Sequence, residues 1–224
     1  MIKIENLTKS YRTPTGRHYV FKDLNIEIPS GKSVAFIGRN GAGKSTLLRM
    51  IGGIDRPDSG KIITNKTISW PVGLAGGFQG SLTGRENVKF VARLYAKQEE
   101  LKEKIEFVEE FAELGKYFDM PIKTYSSGMR SRLGFGLSMA FDFDYYLVDE
   151  VTAVGDENFK SKCKRMFKEK TSKSNFIIIS HNLTLLKEYC DVALFINKDK
   201  DVVYYSDVND AILNYHGAIN FLHN

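Results

Sequence analysis

The sequence predicts an α/β fold: a mainly parallel sheet with helices on its faces, an N-terminal antiparallel β subdomain and an inserted α-helical subdomain. Three observations carry this. The first residues alternate apolar and polar positions on either side of a turn, the pattern of half-buried antiparallel strands. Ser33-Val34-Ala35-Phe36-Ile37 is a continuous apolar run that ends in a glycine-rich turn and is followed by a helix start at Leu47-Leu48-Arg49-Met50-Ile51. From Tyr145 onward, apolar strands alternate with helical stretches, as a parallel sheet requires. The 224 residues are expected to form one domain, with 1–78 and 143–224 as the core and its β subdomain and 79–142 as the helical subdomain.

The elements follow in order. Met1 to Tyr11 reads as a strand through Ile2, Ile4 and Leu7; Thr13-Pro14-Thr15-Gly16 turns the chain, and Tyr19 to Ile28 resumes the alternation. Pro29-Ser30-Gly31 leads into the apolar run. After the first helix, Arg56-Pro57-Asp58-Ser59-Gly60 makes a turn, with short strands at Lys61–Ile63 and Thr67–Trp70. Four glycines between Gly73 and Gly80 predict a mobile loop. Thr83 to Ala96 is helical. Glu99 to Leu114 is an amphipathic helix with Leu101, Ile105, Val108 and Ala112 on one stripe and Glu100–Lys104 as an i,i+4 pair. A helix opened by Ser126 and Ser127 precedes the strand Tyr145–Val148. Helix 158–170, strand 176–179, helix 183–189, a hairpin at 192–196 and 202–205, and a helix over 207–215 complete the chain.

Composition narrows the class. The net charge of +5 is only mildly basic, and the lysine-rich stretch 160–173 has Phe167 as its one aromatic, so it reads as a solvated helix face and not a nucleic-acid stripe. Cys163 and Cys190 make neither a disulfide framework nor a metal set, which suits a reducing compartment. There is no signal-peptide pattern and no apolar run approaching the roughly 18 residues of a membrane span. Any membrane contact is expected through a partner.

The chemistry centres on Gly38-Arg39-Asn40-Gly41-Ala42-Gly43-Lys44-Ser45-Thr46, a strand–turn–helix match to G-x-x-x-x-G-K-[ST]. Its glycines let successive N–H groups turn inward on a phosphate chain, and the new helix adds free amides and its positive dipole end. Lys44 supplies a point charge for β- and γ-phosphates, and the Ser45 hydroxyl suits Mg²⁺. In an open parallel sheet ligands sit beyond the carboxyl ends of the strands. Asp149-Glu150 and Ser180-His181 end two such strands. Asp149 is placed to hold Mg²⁺, Glu150 to polarise an attacking water, and His181 to contact the γ-phosphate or steady that water. Tyr11 is a candidate for stacking on an adenine ring, although a strand aromatic has the same pattern.

Tyr125-Ser126-Ser127-Gly128-Met129, some twenty residues before Asp149-Glu150, resembles the signature motif of ABC-type ATPases, which usually reads Leu-Ser-Gly-Gly-Gln. Gln79 matches the Q-loop, Asp156 the D-loop aspartate, His181 the switch histidine and Tyr11 the adenine-stacking aromatic. The resemblance covers essentially the whole chain. It implies a P-loop NTPase with a RecA-like core, ATP and Mg²⁺ as cofactors, and Ser45, Gln79 and Asp149 around the metal. It also implies a head-to-tail homodimer in which Ser126, Ser127 and Gly128 of one copy meet the nucleotide held by residues 38–46 of the other. Residues 83–115 are then expected to dock on a membrane-spanning subunit.

The departures from the pattern narrow the group. Tyr125 replaces Leu, Ser127 the first Gly and Met129 the Gln, and Val151 stands where a Pro is usual. Asp149–Asp156, Tyr125–Arg130, Ile68-Ser69-Trp70-Pro71 and Gly77–Gly84 resemble the ATPase subunits of bacterial capsular-polysaccharide exporters. That resemblance implies ATP hydrolysis coupled to export of a cell-surface polysaccharide, at the cytoplasmic face of the inner membrane. An extra C-terminal glycan-binding domain, frequent in the related O-antigen exporters, is not expected here. The alternative is a soluble ABC-type ATPase acting on nucleic acid or ribosomes. It lacks support, because neither a long coiled coil nor a second cassette is present. A GTPase would need Asn-Lys-x-Asp, and Asn197-Lys198-Asp199 is followed by Lys200.

Overall fold

The computed structural model describes residues 1–73, 77–150, 156–197 and 200–220, the last five by their backbone alone. They fall into two compact units: 1–70 with 143–151 and 173–224, and 71–142 with 152–172.

The first unit carries two sheets. Strands β1 (Ile2–Thr13), β2 (Gly16–Ile28) and β4 (Ser59–Thr64) form an antiparallel sheet in the order β2-β1-β4. The alternation read from the sequence sets its register, with Ile2 opposite Ile28 and Ile4 opposite Ile26. The second sheet contains β3 (Val34–Gly38), β5 (Ile68–Pro71), β6 (Tyr145–Asp149), β7 (Asn175–Ile179), β8 (Val192–Ile196) and β9 (Val202–Tyr205), in the order β5-β6-β7-β3-β8-β9. The pairings β6–β7, β7–β3 and β3–β8 are parallel, and β9 returns antiparallel on β8. Continuous burial explains the unbroken apolar runs: all five residues of β3 and the first four of β6 are buried. Helices α1 (Lys44–Ile51), α6 (Leu183–Tyr189) and α7 (Val208–Asn220) belong to this unit, and Leu47, Leu48 and Ile51 of α1 enter the same core as Phe36, Leu147 and Ile177. Asp144, just before β6, accepts hydrogen bonds from Thr67 N–H and Oγ1, both at 2.8 Å, and from Lys66 Nζ at 3.0 Å. These bonds fix the start of β6 to the start of β5.

The second unit is helical: α2 (Gly84–Tyr95), α3 (Leu101–Ala112), α4 (Ser127–Met139) and α5 (Glu157–Thr171). A capping box opens α2, with the Thr83 hydroxyl accepting from Glu86 N–H and the Glu86 carboxylate from Thr83 N–H. Phe111 is the hub, stacked on Phe107 and Phe135 at 5.8 and 5.7 Å and edge-on to Phe159 at 5.6 Å. That last contact places α5 with the helical unit, whereas the sequence reading kept residues 143–224 together. One expectation is corrected. The i,i+4 ion pair of α3 is Lys102–Glu106 at 3.7 Å, and not Glu100–Lys104. Residues 98–100 form a separate 3₁₀ turn, in which the Glu100 carboxylate accepts Lys97 N–H at 3.0 Å.

Candidate functional site

The first unit gathers its site residues at the carboxyl ends of three adjacent strands. Phe36 of β3 and Asp149 of β6 both pair with Ile179 of β7, so β6 and β7 end level and β3 runs two residues further, to Gly38. Gly38 to Gly43, Asp149-Glu150 and Ser180-His181 leave the sheet there. Arg39, Asn40 and Gly41 are exposed, Ala42 is buried, and Ser45 and Thr46 in the first turn of α1 are half-buried. The α1 N-terminus has no side-chain cap; its first internal bond is Leu47 N–H to Gly43 O at 2.9 Å, which leaves the N–H groups of Lys44, Ser45 and Thr46 for an anion. Gly43, with φ +107°, is required twice over: the conformation is left-handed, and a Cβ would stand 2.6 Å from Val20 Cγ1 and 2.8 Å from Phe21 Cζ.

The Lys44 side chain curls back under this loop. Its ammonium donates to Gly38 O at 2.8 Å and Arg39 O at 3.0 Å and is buried. Burial lowers its pKa, and the charges of Asp149 and Glu150 oppose that shift. Glu150 has φ +50°, unusual for a glutamate, and its N–H donates to Ile179 O at 2.8 Å. Its exposed carboxylate meets His181 Nε2 at 3.0 Å. Glu150 and His181 are therefore a pair. Tyr11 is 40% exposed; its hydroxyl donates to Asp55 at 2.9 Å, and Lys9 Nζ lies 5.1 Å from its ring centre. The sequence reading had no signal for this Lys9–Asp55 pair (2.7 Å), because the partners are 46 positions apart.

The remaining predicted residues lie in the second unit. Gln79 is exposed; its N–H donates to Asn87 Oδ1 at 2.8 Å and its amide nitrogen to Ser81 Oγ at 3.3 Å. Ser126 caps α4, its hydroxyl accepting from Met129 N–H at 3.2 Å. Ser127 is exposed and Gly128 half-buried, and a Cβ on Gly128 would meet nothing nearer than Ser126 Oγ at 3.9 Å. Ser126, Gly128, Met129, Arg132, Glu113, Leu114 and Tyr117 border an open cleft of about 450 Å³. Asp156 is fully engaged: one oxygen accepts Phe159 N–H at 3.0 Å, capping α5, and the other meets Arg132 at 2.7 Å. These bonds hold its carboxyl below the usual range. Arg132, overlooked in the sequence, also lies over Phe159 at 4.3 Å and reaches Glu113 at 3.5 Å. The loop residues Leu74, Ala75 and Gly76 and the segment Val151 to Gly155 lie outside the described residues.

The model of the family described as "ABC transporter" matches residues 21–153. The chain belongs to the ABC transporter family. Within it, the chain is 83% identical to a polysialic acid transport ATP-binding protein, KpsT, of Escherichia coli, over 96% of each chain. It is 44% identical to the ATP-binding protein BexA of Haemophilus influenzae, covering 92% of this chain and 99% of the relative. A capsule polysaccharide export ATP-binding protein, CtrD, of Neisseria meningitidis serogroup B is 43% identical, with 93% and 100% covered. Among solved structures, the ATP-binding cassette MJ0796, as a dimer in a post-hydrolysis state bound to ADP and Pi, superposes with a TM-score of 0.74 at 22% identity, over 93% of this chain and 99% of that one. The ABC cassette fold read from the motifs is thus the fold found. Among the described residues, no helix is long and apolar enough to cross a membrane.

Proposed function

We propose that this chain is the ATP-binding and ATP-hydrolysing subunit of an ABC transporter that exports a capsular or similar cell-surface polysaccharide, working at the cytoplasmic face of the inner membrane against a membrane-spanning subunit. The observation that carries it is the convergence of Lys44, Asp149, Glu150 and His181 beyond the carboxyl ends of the neighbouring strands β3, β6 and β7. The relatives named for polysialic acid transport and capsule polysaccharide export support the choice of cargo. The soluble nucleic-acid alternative gains no support. Lys162 and Lys170 of the basic helix are paired with Glu113 and Asp142, both at 2.6 Å.

The residues divide the work. The free amides at the start of α1 bind the phosphate chain, and Lys44 leaves its two loop carbonyls for the β- and γ-phosphates, a better acceptor for a partly buried ammonium. Ser45 and Asp149 offer hard oxygen donors, a set that fits Mg²⁺, with Gln79 as the third candidate. When bound, that ion neutralises charge building on the phosphates. Glu150 orients the attacking water and takes its proton, and His181 holds the carboxylate in place. Tyr11 offers a half-exposed ring to the adenine. Ser126, Ser127 and Gly128 receive the γ-phosphate bound to a second copy, so ATP favours pairing and hydrolysis releases it.

The test is co-purification with a membrane-spanning subunit, followed by polymer export from cells carrying this chain or its Glu150→Gln variant. Export with the intact chain and its loss with the variant are expected. Export undiminished by Glu150→Gln would overturn the reading.

A further inference from the structure

The helical unit contains a device that the motifs alone do not describe. The residues that follow Gln79 are sewn, backbone to backbone, to the residues that lead into Ser126. Lys123 N–H donates to Gly80 O at 2.9 Å, Ile122 N–H donates to Leu82 O at 2.9 Å, and Thr83 and Pro121 form an isolated antiparallel bridge. Asn87, 5% exposed, clamps the first of these segments from inside: its Oδ1 accepts Gln79 N–H, and its Nδ2 donates to Gln79 O at 3.1 Å and Thr83 O at 2.8 Å. Two short connecting segments, the second containing a 3₁₀ turn at Ile122–Thr124, are thereby made to behave as one.

Tyr125 closes the join. It is 3% exposed, and its hydroxyl donates to Tyr117 O at 2.6 Å. A Cβ on Gly84 would stand 2.3 Å from that hydroxyl oxygen and 2.9 Å from Phe118 O, so the first residue of α2 must be glycine for the phenol to fit. Next to it, Arg85 holds Glu109 at 2.6 Å and Asp119 at 2.7 Å and lies 4.8 Å from the Phe118 ring centre. These contacts stiffen the wall on which the phenol rests. Burial raises the pKa of Tyr125, so the hydroxyl stays a donor across the physiological range. Tyr117, whose carbonyl it holds, borders the same cleft as Ser126.

We propose that Tyr125 is a positioning residue. Its phenol locks the 79–84 segment to the 121–128 segment and to the Tyr117 wall of the cleft, so that a displacement at Gln79 is delivered to Ser126 and Gly128. This rests on the reading above, in which Gln79 is a candidate ligand of the Mg²⁺ on the chain's own nucleotide and Ser126–Gly128 meets the nucleotide of a second copy. The lock acts on the alignment of the two half-sites and not on the affinity of the phosphate loop. A leucine at this position would fill part of the space and lack both the reach and the donor.

The test compares the full chain with its Tyr125→Phe variant, which removes one oxygen from a side chain that otherwise packs as before. Amide hydrogen exchange at Ile122 and Lys123 should quicken by about fivefold, the worth of one buried hydrogen bond. The kcat for ATP should fall by about three- to tenfold with KM within twofold, since only the step that aligns the half-sites is affected. Gly84→Ala should lower kcat further, and the Gly84→Ala/Tyr125→Phe pair should lose less than the product of the two single losses, because the added methyl no longer meets the hydroxyl. Unchanged kcat in Tyr125→Phe, with or without faster exchange, would overturn the proposal, as would a loss expressed in KM. A wild-type chain without ATPase activity would instead overturn the functional reading, and the exchange comparison would still decide whether the lock exists.

Discussion

Two helix starts in this molecule are both suited to an anion, and they are built in opposite ways. At α1 the cap is a left-handed glycine with no side-chain partner, and that glycine is squeezed against Val20 and Phe21 of its own chain. At α4 the cap is Ser126, bonded to Met129 N–H, and Gly128 has open space where a side chain would go. At the first start, the loop, lysine, carboxylates and histidine converge in one unit. The second has a glycine that nothing among the described residues of its own chain demands. A glycine kept where its own neighbours leave room is what a surface needs when another molecule's backbone or phosphate comes close.

The largest expected effect breaks the first start. Lys44→Ala should lower ATP turnover by at least about 100-fold and weaken ATP binding, since it removes the ammonium that donates to the loop carbonyls of Gly38 and Arg39. Turnover within a few-fold of wild type in a steady-state assay would contradict that role. Next comes the glycine comparison itself. Gly43→Ala should destabilise the fold by about 2–4 kcal/mol through overpacking and strain at positive φ. Gly128→Ala should leave stability within about 0.5 kcal/mol yet cut turnover by about tenfold or more. Urea unfolding and ATPase assays on the two variants separate these outcomes; equal losses of stability would erase the distinction.

The fold was legible where a local pattern decides it. The strand before Gly38, the acidic end of β6 and His181 after β7 each announce themselves within five residues, and the parallel alternation orders them. What was hidden depends on partners far along the chain. Arg132 is tied to Asp156 across 24 positions and Tyr11 to Asp55 across 44, and no periodicity reports either pair. The position of α5 depends on Phe159 meeting Phe111 and on Lys162 reaching Glu113, contacts that span about 50 positions. The Glu100–Lys104 expectation failed for a local reason of another kind: Glu100 serves as a cap before the helix begins.

Two smaller effects probe the units separately. Bonds from Thr67 and Lys66 hold the Asp144 carboxyl down to about 2 from 3.8, so its contribution is fully present above about pH 4 and is lost as pH falls through 2. Thermal unfolding of Asp144→Asn should therefore lose less stability between pH 4 and pH 2 than wild type; identical acid profiles would remove Asp144 from the account. Smallest is the thiol pair. Burial pushes Cys163 up to about 12 and raises Cys190 as well, so neither should react with iodoacetamide at pH 7.5 in the folded chain. Cys190 belongs to the first unit and Cys163 to the second. Their alkylation along a urea titration thus reports whether the units unfold together, and rapid labelling without urea would contradict the burial of both.

The most direct measurement is ATP binding and turnover of Glu150→Gln beside wild type. The account predicts ATP affinity within about threefold and turnover reduced at least about 100-fold, because the carboxylate handles water and not the nucleotide. Turnover at the wild-type rate, with affinity unchanged, would contradict it.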